Sequence, residues 1–194
     1  MPQYRLKEHL LEPNWVSLLR VATFAATAIA YVATLVVYAK KGIDGVNDNV
    51  YNPILYVGEW VGGPVFLLGL IFAFIKRTKK VGGVIIYLNG AIGLIALGIL
   101  AFMVTGAMSS RWAVIGAVAG TVSLGYGMFA VSVLALAIQR QWLLAALFLF
   151  GALFLRWVCK AATRLMYHDL IAANNELPFN PAFVDEPESH STTG

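Results

Sequence analysis

An all-α bundle that crosses the bilayer several times is the fold class this sequence predicts, and three observations predict it. Of the 194 residues 59% are hydrophobic and 12% charged, with a mean hydropathy of +0.74; one soluble core of this size could not hide so much apolar surface. Stretches such as 61–75 and 142–155 are apolar on every side rather than along one face, as lipid-facing helices are. The charge run Lys76-Arg77-Thr78-Lys79-Lys80 stands alone between two long apolar segments. The expectation is a polytopic membrane helical bundle of five transmembrane helices, over 15–38, 54–75, 81–108, 112–138 and 142–158, the last continuing as a basic helix end, or of four if the last does not cross. A short amphipathic segment over 1–14 precedes it, and a disordered acidic polar tail over 169–194 follows it.

At the N-terminus Leu6, Leu10 and Leu11 fall together on a helix with Arg5, Lys7, Glu8 and Glu12 elsewhere, which suits a helix lying on the bilayer surface. Pro13 ends it and Asn14 is placed to cap the next. The first membrane helix carries Trp15 and Tyr38 at its two ends, where amphipathic rings favour headgroups. Arg20 lies one and a half turns inside it, within reach of the interface by snorkelling or of an acid on a neighbour. Residues 39–56, with Gly42, Gly45, Pro53 and several Asn and Asp, read as a polar connecting loop.

In the second helix Gly58 and Gly62 share one face and permit close approach of another backbone, while Pro64 removes a donor and kinks the helix or marks its start. Glu59 stands beside them, hydrated at the interface or paired with a basic group elsewhere. The third helix is interrupted only by Asn89, which should seek an interhelical hydrogen bond. The fourth, with Gly116 and Gly120 one turn apart and then Thr121, Ser123, Gly125, Tyr126 and Gly127, has the smallest and most hydroxyl-rich face and is the expected centre of the bundle. Thr121, Ser123 and Tyr126 also form a candidate polar pathway. The 142–158 stretch is expected to span, with a re-entrant hairpin or an extension of helix four as the alternatives.

As the chain leaves the membrane, Arg156, Lys160, Arg164 and His168 recur at i, i+4 spacing and form a basic stripe suited to lipid headgroups or an acidic partner. This stripe competes with the run at 76–80 in setting topology. With five spans, Arg156, Lys160 and Arg164 lie opposite that run and the charge bias is weak. With four they return to its side, with Arg140, and the bias becomes strong. The run itself is placed on the cytoplasmic side.

Layout alone, over residues 15–138, is similar to MARVEL and tetraspan-type proteins: glycine-rich helices, short connections and polar termini. No motif carries residues across, the paired loop cysteines of claudins and tetraspanins are missing, and the 142–158 stretch is an additional segment.

Chemistry is sparsely represented. His9, His168 and His190 lie toward the termini without zinc- or haem-ligand spacing. Cys159 is the single cysteine, read as a small apolar residue near a helix end or a palmitoylation site. The net charge of +4 sits at helix ends, so topology explains it and nucleic acid is not an expected partner. No cofactor, metal or enzymatic activity is expected. The function expected first is a non-catalytic accessory or organising subunit that packs against other membrane subunits or itself through Gly58, Gly62, Asn89, Gly116 and Gly120. The alternative is a carrier or pathway for a lipid or uncharged small molecule.

Overall fold

The computed structural model describes residues 11–177, so the expectations for the 1–10 segment and for 178–194 lie outside the described residues. It is all-α: α1 (Asn14–Val46), α2 (Asn52–Val57), α3 (Gly63–Phe74), α4 (Lys79–Met108), α5 (Ser110–Val122), α6 (Tyr126–Ile138), α7 (Trp142–Met166) and α8 (His168–Asn175), with π-helical turns at Asn47–Tyr51 and Gly58–Gly62. Among the described residues three helical runs are long and apolar enough to cross a membrane, Asn14–Phe74, Lys79–Met108 and Trp142–Met166. The expectation of five or four spans is corrected accordingly. The protein is a helical, multi-pass membrane protein, and two local events account for the difference.

The first is a reversal inside the run Asn14–Phe74. A straight helix of 61 residues would extend about 90 Å, but Gly42 breaks it with φ 70° and ψ −164°, a backbone region open essentially to glycine alone. Before Gly42 the chain runs parallel to α4. Val16 packs with Ile86 and Tyr87, the Tyr31 hydroxyl donates to the Leu94 carbonyl at 3.1 Å, and Tyr38 meets Phe102 edge to face. After Gly42 it runs antiparallel: Ile54 packs against the cluster containing Ile99, Gly62 faces Asn89, and Gly69 faces Ile85. Residues 39–56 are therefore helical almost throughout and not a loop. Val46, Val50 and Ile54 fall on one face at i, i+4, i+8 and pack into the core, which offsets the polar residues between them. Each π turn stands just before a proline, Pro53 or Pro64; a proline ring clashes with the carbonyl four residues back, and the wider turn relieves that clash.

The second event splits the expected fourth helix. Leu124 has φ 52° and Gly125 φ 94°, and two successive left-handed residues end any right-handed helix. The two pieces, α5 and α6, have 13 residues each, about 20 Å, short of a hydrocarbon core of about 30 Å. They form a helical hairpin that leaves the Met108 end of α4 and returns to it. On the way in, Gly106 is close to Ala113 and Gly116 to Phe102. On the way back, Thr105 donates to the Ser132 carbonyl at 3.3 Å. At the tip Gly125 rests on Tyr31, halfway along α1. The Ser123 hydroxyl closes the turn, donating to the Ala119 carbonyl at 2.7 Å and accepting from the Gly127 N–H at 2.6 Å. Non-helical backbone at this depth is tolerated where protein covers it, and Gly125 is buried.

The centre of the bundle is α4, not the expected fourth helix. Its glycines let neighbours approach on several sides: Gly82 lies against the Ala73 backbone of α3, Gly83 against Ala162 and Met166 of α7, and Gly98 against Tyr31 of α1. α7 runs antiparallel to it, with Gly151 facing Leu97, Leu155 facing Gly93 and Cys159 facing Gly90. Its helix runs on past 158 as far as Met166, where Ala162 and Met166 are buried with Val16, Ile86 and Tyr87. Residues 169–175, expected in the tail, belong to α8 (His168–Asn175), whose Ile171 packs on that same cluster.

Candidate functional site

α1 and α7 both lie against α4, and the gap between them forms a concavity. They meet at one end, where Val16 packs with Ala162, Met166 and Tyr167. Toward the other end α6 closes the gap with Tyr126 and Phe129, and α4 forms the floor. The cavity, open along one side, measures about 890 Å³, toward the upper end of the range of about 300–1,000 Å³ usual for small-molecule sites.

Its lining is divided along its length. Beneath the hairpin it is apolar, with Leu94, Leu97, Phe129, Leu149 and Leu153. Nearer the Val16–Met166 closure it carries Arg20 from α1 and Arg156 and Lys160 from α7. Thr23, Thr27, Tyr87 and Tyr126 add hydroxyl groups to the lining. Thr23 and Tyr87 share a hydrogen bond of 2.8 Å. Tyr126 donates to the Phe24 carbonyl at 2.9 Å and stacks on the Phe24 ring at 4.7 Å.

The charges are unevenly matched. Arg20 pairs with Glu12 at 2.8 Å, and Ser17 donates to the same carboxylate at 3.3 Å; the acid comes from the chain just before α1 rather than from a neighbouring helix. Among the described residues neither Arg156 nor Lys160 has an ion-pair partner. Arg164 is exposed and does not line the cavity, and His168 begins α8 after the break at Tyr167, its imidazole 3.9 Å from Asp169. Thus Arg156 and Lys160 face one site, and the four-residue stripe does not act as one continuous face.

Other candidate residues are dispersed. Of the polar-pathway residues only Tyr126 lines the cavity; Thr121 is exposed and bonds back to the Ala117 carbonyl at 2.9 Å, and Ser123 is occupied within the hairpin. Asn89 donates to the Ile85 carbonyl of its own helix at 3.0 Å, not across helices, and its side chain lies over Gly62. Gly116 faces Phe102, and Gly120 faces Leu35 and Met128. Gly58 has nothing within 4 Å of the Cβ position; with Glu59, Leu88, Asn89 and Ile92 it lines a second groove of about 480 Å³.

Arg140 sits at the α6–α7 turn, at the Met108 end. The three cations Arg156, Lys160 and Arg164 share the end of the basic run, as Lys80 lies 3.9 Å from Asp169. Sequence reasoning missed that Arg20, Arg156 and Lys160 line one cavity; the available signal was that the stripe began inside an apolar stretch. Cys159 also lines the cavity, half-buried against Gly90. Among the described residues no group of three or more His, Cys, Asp or Glu could hold a metal ion. No family model matches the chain, and neither a curated protein nor a solved structure matches it.

Proposed function

We propose that this membrane protein binds a membrane amphiphile in the cavity between α1 and α7 and carries or presents it without altering its covalent structure. The observation that supports this reading is the division of one cavity into an apolar compartment under the hairpin and a cationic compartment at the opposite end. That pattern complements a lipid with its chain inward and its polar group toward Arg20, Arg156 and Lys160. In this reading the end with the 76–80 run faces the cytoplasm, as the positive-inside rule requires.

The sole cysteine provides the test. In detergent-purified protein depleted of lipid, Cys159 should react with a membrane-permeant maleimide, and added lipid should slow that reaction. Leu153→Trp, which fills the apolar compartment, should abolish both the protection and the recovery of co-purified lipid. Lipid protection that survives the tryptophan substitution would remove the proposal.

A second reading, an accessory subunit, has the open Gly58 face in its support. A partner helix seated in the groove of Gly58 and Asn89 would be expelled by Gly58→Leu. Loss of a stoichiometric companion from the mild-detergent complex of that variant is the expected result.

A further inference from the structure

An amphiphile in the α1–α7 cavity could carry any of several headgroups, and the charges of the polar compartment narrow the choice; the headgroup assignment rests on the amphiphile reading. α1 and α7 bring Arg20, Arg156 and Lys160 to one cavity. Among the described residues the only carboxylate engaged there is Glu12, on Arg20. Three cations less one carboxylate leave two positive charges.

Arg156 lies ten residues before Met166, the last residue of α7, so it stands about 15 Å from that helix end at 1.5 Å per residue. A cation inside a helix long enough to span, lining a cavity and without an acidic partner among the described residues, is suited to serve a bound group or a polar path.

A carboxylate or a phosphodiester headgroup would bring one negative charge. A phosphate monoester carries about −1.5 to −2 near neutral pH and offers oxygens in the geometry that guanidinium forks match.

We propose that the polar compartment takes the phosphomonoester headgroup of a membrane lipid, held by Arg20, Arg156 and Lys160, and that this headgroup competes with Glu12 for Arg20. The acyl chain lies along Leu94, Leu97 and Leu153. Glu12 then acts as a built-in competitor that holds Arg20 in place when the cavity is empty.

The test uses the full chain in phosphate-free detergent, with binding read by native mass spectrometry. Phosphatidic acid is compared with phosphatidylglycerol, phosphatidylcholine and soluble glycerol phosphate. Phosphatidic acid should bind about tenfold or more tighter than phosphatidylcholine, with phosphatidylglycerol between them and glycerol phosphate far weaker. The double variant Arg156→Gln, Lys160→Gln should lose the headgroup preference and keep chain-dependent binding. Glu12→Gln should tighten phosphatidic acid several-fold by freeing Arg20, a gain that misfolding cannot imitate.

Equal binding of phosphatidic acid and phosphatidylcholine, or a preference untouched by the double variant, would overturn the headgroup assignment. If Leu153→Trp still expelled the lipid in that case, the amphiphile reading would stand. Glycerol phosphate binding as tightly as phosphatidic acid would also overturn the proposal, by showing a soluble phosphate site.

Discussion

Gly82 and Gly58 occupy opposite extremes of what a glycine does in this chain. A Cβ on Gly82 would sit 2.5 Å from the Ala73 backbone nitrogen, and one on Gly83 would sit 2.8 Å from the Ala162 carbonyl, so neither neighbour can yield by rotating a side chain. Gly82→Ala and Gly83→Ala should each destabilise the protein by about 1–3 kcal/mol through forced separation of helices. Gly58→Ala meets open space and should be neutral or stabilising by up to about 1 kcal/mol, since alanine is the better helix former. Thermal unfolding in detergent distinguishes them. The sequence places all three glycines on membrane helices. Gly58 and Gly62 at four-residue spacing suggest a packing face, yet only Gly62 has a neighbour, because spacing within one helix carries no information about what stands opposite. The same holds for Arg156: its residue type and its place in an apolar stretch were readable, whereas its convergence with Arg20 depends on both helices packing against α4.

At the scale of elements, the turns decide the architecture. Gly42 has no steric neighbour within 4 Å, so Gly42→Ala isolates backbone strain, and a cost of about 1–3 kcal/mol is expected from its glycine-only conformation. Gly125 combines φ 94° with a Tyr31 side chain packed directly on it, so Gly125→Ala should cost more than Gly42→Ala in the same unfolding assay. Ser123→Ala removes both hydrogen bonds that tie α5 to α6 and should cost about 1–2 kcal/mol. An equal stability of Ser123→Ala and wild type would show that packing alone closes the hairpin. Helical character over 81–108 and 142–158 was legible from hydropathy, and the i, i+4 spacing of Arg156, Lys160 and Arg164 carried the last helix on past 158. The hairpin was not legible: Ser123, Gly125 and Gly127 read equally as small residues of a packing face and as a turn. Only the left-handed backbone of Leu124 and Gly125 separates the two.

Across the whole molecule, the basic run, the start of α1, the end of α7 and α8 gather at one end, joined by the Val16, Ile86, Met166 and Ile171 cluster and by Lys80 beside Asp169. Met108, Ser109 and Arg140 lie at the other. In a Cys159→Ser background, Thr78→Cys and Glu176→Cys should therefore label from the same side of sealed vesicles, and Ser109→Cys from the opposite side. Labelling of Thr78→Cys and Glu176→Cys from opposite sides would break this arrangement. Arg156, Lys160 and Arg164 belong to the half of α7 nearer the basic run, and Arg140 to the end of the molecule away from it. The membrane environment, the helical class and the basic loop follow from sequence because composition and hydropathy sum over a local window and need no knowledge of neighbours. The reversal at Gly42, the half-depth hairpin and the cationic compartment arise only in the folded chain, because each depends on which helix faces meet, and distant residues such as Arg20 and Arg156 share a site solely through their common contact with α4.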